Sequence, residues 1–148
     1  MNALTLLTQD HDQVKTLLTR LDETTERAEK GRERGLATLK TQLQAHETVE
    51  EEIFYPALKR FAQAKDVVLE AYEEHDVVDT IMKELEATSY EDEARTAKFT
   101  VMKENLEHHI EEEEGEMFDQ ARQVMSDDEL AELGEEMAAR KEALLNGG

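Results

Sequence analysis

The chain of 148 residues is the length of one domain, and with 39% hydrophobic but only 5% aromatic residues it can build a single, mostly aliphatic core. A formal net charge of −20 argues against nucleic acid and anionic membrane as partners, and the absence of cysteine excludes disulfides, thiolate nucleophiles, zinc–thiolate sites and iron–sulfur clusters. Any metal must be held by nitrogen and oxygen donors; no segment approaches the roughly 20 apolar residues of a membrane span, and MNALTLLTQDHD lacks a basic start, so a cytoplasmic location is expected.

Leu4, Leu7, His11, Val14, Leu18 and Leu21 recur at three- and four-residue intervals, which places them on one face of a first helix. In TTERAEKGRERG, Gly31 and Gly35 bracket a charged turn. A second stripe follows in Leu36, Leu39, Leu43, His46, Val49, Glu50, Ile53, Ala57, Leu58 and Phe61, with Pro56 expected to bend or end the helix. The third stripe is Val67, Val68, Ala71, His75, Val78, Met82 and Leu85, after which Ser89 is a candidate cap. Phe99, Met102, Leu106, His109, Glu113, Met117 and Val124 form the fourth. A capping box from Ser126 to Glu129 opens a shorter amphipathic helix over about 126–145. Four long helices with short connections, and no sustained period-two alternation, predict an all-α fold. It is an up-down-up-down four-helix bundle over about 2–124 with a C-terminal helix, one domain spanning 1–148.

Each of the four stripes is interrupted by a histidine: His11, His46, His75 and His109. Two are followed four residues later by a glutamate, His46 by Glu50 and His109 by Glu113. Four residues rotate a helical side chain by only about 40° while rising about 6 Å, so both members of each pair can face the bundle axis. A carboxylate buried among aliphatic side chains costs several kcal/mol unless it is paired or coordinated, and these stripes carry no lysine or arginine. A cation resolves the conflict. Two iron ions held by four neutral imidazoles and two carboxylates would keep residual positive charge, for water, hydroxide, oxide or peroxide to balance. A metal-free polar core remains the competing reading.

Helical phase prefers His109 to its neighbour His108, which falls about 100° away on the flank. Within the acidic run 111–114 only Glu113 has the inward phase. Glu51, Glu52, Glu111 and Glu112 are candidates to draw cations or to accept hydrogen bonds from ligand imidazoles. Asp79, four residues after His75, reads as such an acceptor or as a boundary charge, with a ligand role open. Asp10 and Asp12 flank His11 and read as helix N-terminal charges. Met82, Met102 and Met117 read as core. Tyr55 and Tyr72 are candidate phenol donors, although Tyr55 projects away from Glu50 in an ideal helix. The segments HETVEEEIFYP and HIEEEEGEMFD share one register, with an aromatic nine residues after the histidine, Tyr55 in one and Phe118 in the other. HETVE lacks the second histidine of the zinc-protease motif, and the ferritin-like E-x-x-H spacing is absent.

LLTQDHDQV, HETVEEEIFYPAL, AYEEHDVVD, LEHHIEEEEGEMF and the tail SDDELAELGEEMAARK together resemble the hemerythrin-like family, the HHE cation-binding domains, over nearly the whole chain. The resemblance implies a four-helix bundle with a non-haem di-iron centre that binds or senses O2, nitric oxide or peroxide. It implies His11, His46, His75 and His109 as iron ligands and Glu50 and Glu113 as bridging carboxylates, with an oxo, hydroxo or water bridge between two Fe2+/Fe3+ ions. Oxygen-carrying hemerythrins add a fifth histidine where Asp79 stands here, and use aspartate at H-x-x-x-x-D where this chain has Glu113. Those departures shift the expectation from reversible carriage towards sensing or turnover. The alternatives are a di-iron enzyme that consumes hydrogen peroxide, in a catalase- or peroxidase-like manner, and a metal-free helical interaction module. No protein partner is named by the sequence.

Overall fold

The computed structural model describes residues 1–23 and 29–147. Its helices are α1 (Ala3–Glu23), α2 (Glu29–Val49), α3 (Tyr55–Lys59), α4 (Lys65–Ala87), α5 (Ala94–Glu112), α6 (Phe118–Val124) and α7 (Asp127–Gly147). A π-helical turn, Glu50–Phe54, joins α2 to α3 without a break, and a second, Glu113–Met117, joins α5 to α6. Among the described residues five continuous helices result and no strand occurs.

The core divides into two apolar clusters, and the order in which each helix meets them gives the topology. One cluster holds Leu4 and Leu7 of α1, Val49 and Leu58 around the first π turn, Val68 and Ala71 of α4, and Met117 and Ala121 around the second. The other holds Val14 and Leu18 of α1, Leu39 and Leu43 of α2, Val78 and Met82 of α4, and Met102 and Leu106 of α5. Successive helices therefore run through the two clusters in opposite directions, the up-down-up-down bundle, and Met82, Met102 and Met117 are core as expected. The six in-stripe polar residues lie on the chain where each helix passes from one cluster to the other.

Local sequence explains most boundaries. Ser126 Oγ accepts from the Glu129 amide at 3.1 Å, while Glu129 Oε1 lies 3.4 Å from the Ser126 amide, the reciprocal capping box expected at α7. Leu130 and Met137 of α7 bury against the first cluster. Gly134 is required there, because a Cβ at that position would run into the backbone of Met1, Asn2 and Ala3. At the α4–α5 corner Asp92 Oδ1 accepts from the Ala94 amide at 2.8 Å, whereas Ser89 only bonds Glu91 within the turn, so the cap falls on Asp92 instead. Buried Arg95 closes α4 by donating to the carbonyls of Leu85 and Thr88 at 2.7 and 2.6 Å, with its guanidinium over the Tyr90 ring.

Two expectations change. Gly31 and Gly35 lie inside α2, where Gly35 sits close against Leu21, so they do not bracket a turn; residues 24–28 lie outside the described residues. Pro56 follows closely on the π turn inside a continuous helix, which does not end there but at Lys59, three residues later. No helix among the described residues is long and apolar enough to cross a membrane.

Candidate metal centre

His11 of α1, His46 of α2, His75 of α4 and His109 of α5 are all buried, and they converge on two buried carboxylates, Glu50 and Glu113, which begin the two π turns. The rings pair edge to face. His11 and His46 have centroids 4.9 Å apart at 70°, and His75 and His109 have centroids 5.0 Å apart at 71°. Glu50 Oε1 lies 3.0 Å from His46 Nε2 and 3.2 Å from His75 Nε2, one histidine from each pair. Glu113 reaches the other two, Oε1 to His11 Nε2 at 3.1 Å and Oε2 to His109 Nε2 at 3.3 Å. Each carboxylate thus spans both pairs. One ligand atom each from His11, His46, Glu50 and Glu113 falls within 4.8 Å of the others, and so does a set from Glu50, His75 and His109.

All six sequence-predicted residues are therefore brought together. His108 is not: it is 66% exposed at its side chain and pairs with Glu112 at the surface. The π turn starts after His109, so no slip of phase precedes the ligand position.

A protein-only balance leaves this centre unresolved. The imidazoles approach Glu50, but neither contact is aligned as a hydrogen bond, and both Glu50 oxygens are buried without a donor. Burial opposes charge on His46, His75 and His109, yet the carboxylates prevail. Glu50 and Asp10 push His46 up to about 10, Glu50 and Glu51 push His75 to about 11, and Glu113 and Glu74 push His109 to about 10. Against its own burial, Glu113 is held well below the usual carboxylate range by Glu50, His109 and His11. Without a metal, protons take the cation's place. Nitrogen and oxygen donors that converge from four helices on an orphaned, buried carboxylate fit transition-metal binding.

A second ring of carboxylates lies behind the imidazoles. Asp10 Oδ2 stands 3.0 Å from His46 Nδ1, Glu51 Oε2 3.1 Å from His75 Nδ1, Glu74 Oε1 2.7 Å from His109 Nδ1, and Glu114 Oε2 2.6 Å from His11 Nδ1. Each helix supplies the acceptor for the next in chain order, and the fourth closes on the first. These acceptors fix each imidazole with Nδ1–H outward and the Nε2 lone pair inward. Of the four, only Glu51 was expected. Asp10 is no helix-terminal charge but a buried acceptor that also pairs with Lys141 of α7, and Glu114 belongs to the ring rather than to a solvated face. Glu52 instead forms a bidentate pair with Arg140, Glu112 pairs with His108, and Glu111 is exposed. Every acceptor stands next in sequence to an inward donor: before it in Asp10 and Glu74, after it in Glu51 and Glu114. That adjacency, alternating with helix direction, was the available signal.

Tyr55 overturns its expectation. Five residues of ideal α-helix would place it about 140° from Glu50. The π turn, closed by a bond from the Tyr55 amide to the Glu50 carbonyl five residues back, turns the phenol inward. Its hydroxyl donates to Glu113 Oε2 at 2.6 Å and lies 3.2 and 3.5 Å from the Nε2 atoms of His75 and His109. Burial, Glu113 and Glu50 raise its pKa well above 10, so it remains a neutral donor. The other π turn acts alike on Phe118, whose ring stacks on His11 with centroids 6.3 Å apart. Tyr72 stops short of the centre, donating to the Glu51 carbonyl. A cavity of about 10 Å³, at the threshold for one water molecule, lies against all four histidines and is walled by Val14, Leu43, Val78, Leu106 and Ile110. Buried Glu47, unremarked in the sequence, also lines it; Asp79 lies outside this cavity, along a surface groove that Glu47 shares, and burial raises Glu47 to about 9.

Comparison with known proteins agrees with this geometry. The uncharacterized protein Rv2633c of Mycobacterium tuberculosis and Mb2666c of Mycobacterium bovis are each 32% identical over 149 aligned residues, covering 97% of this chain and 88% of theirs. The crystal structure of a hemerythrin HHE cation binding domain-containing protein, the Rv2633c homolog from Mycobacterium kansasii, superposes with a TM-score of 0.85 at 31% identity. That match covers 97% of this chain and 87% of that one. Residues 2–121 match the hemerythrin HHE cation binding domain. With the fold, the convergent histidines and this match in agreement, the chain belongs to the hemerythrin HHE cation-binding family.

Proposed function

We propose that the protein is a non-haem di-iron protein that binds or senses a small ligand, O2, nitric oxide or peroxide. His11, His46, His75 and His109, together with Glu50 and Glu113, would hold the iron, each carboxylate lying between one histidine of each pair. The observation that carries this reading is the buried Glu50 carboxylate, orphaned of hydrogen-bond donors and flanked by one histidine from each pair. When bound, two iron ions supply a redox couple and Lewis-acid positions for a diatomic or peroxide ligand. The chain supplies the rest. Its outer carboxylates orient the imidazoles, the apolar walls of the cavity limit the occupant to a few atoms, and Glu113 keeps the Tyr55 proton directed at the centre.

Four imidazoles, with Asp79 outside the cavity that they line, favour ligand chemistry over simple carriage. The buried phenol supports a second reading, consumption of hydrogen peroxide, because a neutral hydroxyl beside His75 and His109 can give a proton to a bound oxygen species.

Metal analysis of protein made in iron-replete cells tests the first reading: about two irons per chain are expected, and a clean zero or a single zinc overturns it. Chelation should lower the melting temperature, by about 2.7 kcal/mol of stability for metal at 100 times its Kd, and an unchanged melting point would favour a metal-free module. Peroxide loss that disappears in His109→Ala supports turnover; no activity above free iron ends that reading.

A further inference from the structure

Among the described residues Glu47 alone lines both the inner cavity over the histidines and an open surface groove, whose wall includes Asp79, Glu51, Thr48 and Leu144. Its side chain is 95% buried by the 5% exposure of the residue, and its Oε1 has no hydrogen-bond partner. Asp79, one helix away, lines the same groove. A buried carboxylate oxygen without a donor is costly unless a cation lies beside it. One ligand atom each from Glu47, Glu51 and His75 lies within 4.8 Å of the others, and no described residue lining the groove is basic. Glu51 belongs to this mouth and also accepts from His75 Nδ1, so the groove and the centre share a residue.

We propose that Glu47, Asp79 and Glu51 form an outer divalent-cation site at the mouth of the groove, through which iron enters the centre. The proposal rests on the di-iron reading of the inner site. Hard oxygen donors at a half-open mouth suit a hydrated divalent ion in transit, held loosely enough to leave, whereas the nitrogen-rich interior suits retention. A strongly negative chain adds steering toward this mouth.

The test compares iron-loaded wild type with the Glu47→Gln/Asp79→Asn double variant and with Asp79→Asn alone, which spares the residue beside His46. Manganous ion is titrated by the loss of its free-ion paramagnetic resonance signal. Wild type should take up one more Mn2+ per chain than either variant, with iron content equal in all three. Ferrous ion added to the metal-free proteins should reach the same end point at least about tenfold more slowly in the variants. Equal Mn2+ counts overturn the outer site, equal loading rates overturn its role as an entrance, and loss of resident iron in the variants assigns the carboxylates to the centre itself and overturns both. Because Mn2+ is read as a difference, a wild type without iron refutes the di-iron reading separately while the outer site is still decided.

Discussion

The two halves of the centre share a plan and differ in one group. His11 with His46, and His75 with His109, form matching edge-to-face pairs, each followed by a π turn that swings an aromatic inward. The turn after His109 brings Phe118 back to the first pair, stacked on His11; the turn after His46 brings Tyr55 to the second, where its hydroxyl reaches Glu113 and two imidazoles. One position is thus walled by hydrocarbon and the other holds a proton donor. A near-symmetric scaffold yields an asymmetric site through a single oxygen atom, and the surroundings of the two histidine pairs are not chemically equivalent.

The largest effect belongs to the groups that the halves share. Glu50→Gln or Glu113→Gln should cost both metal ions, since each carboxylate touches both pairs, while His46→Ala should empty its own side first; retention of two irons by either glutamine variant would break the bridging assignment. The pH dependence of the metal-free protein comes next. His46, His75 and His109 are raised from 6.5 to about 10, 11 and 10, so their contribution to stability is complete below pH 6.5 and is lost as pH rises through 10 to 11. Glu113 is lowered from 4.5, so its contribution is complete above that value and is lost on acidification. Chemical denaturation of the metal-free protein should therefore show a maximum between about pH 4.5 and 6.5 that flattens on the alkaline side once metal displaces the protons.

Removing an outer carboxylate is smaller and tells the halves apart. Asp10→Asn and Glu114→Gln should weaken the His11/His46 position by roughly 10- to 100-fold in metal affinity, and Glu51→Gln and Glu74→Gln the other, each read by competition with a chelator. Smallest is Tyr55→Phe, which makes the two halves alike. It should cost about 1–3 kcal/mol through the unpaired Glu113 oxygen and shift the visible spectrum of the loaded protein, leaving the metal count intact. An unchanged spectrum would mean that the phenol does not distinguish the positions.

The bundle and its six inward donors were legible because a period of 3.6 residues encodes which side chains face the axis. The nine-residue echo was equally legible, but its meaning was not. Tyr55 points away in any regular α-helix, and the widened turn that redirects it leaves no mark in hydrophobic spacing. The outer ring escaped for a related reason. Asp10, Glu74 and Glu114 sit about 100° from the inward stripe, a flank that looks like surface in one helix and becomes interior only when the next helix packs against it. Glu47 escaped because a glutamate in an acidic chain looks solvated unless its burial is known.

The circular handing-on of carboxylates also sets the order in which the molecule can be completed. His11 near the amino terminus takes its acceptor from Glu114, so a growing chain lacking the last bundle helix leaves the first imidazole unsupported and Glu50 without its counterpart. A finished ring therefore requires the chain through Glu114, and shorter partial products have no complete set of inward donors.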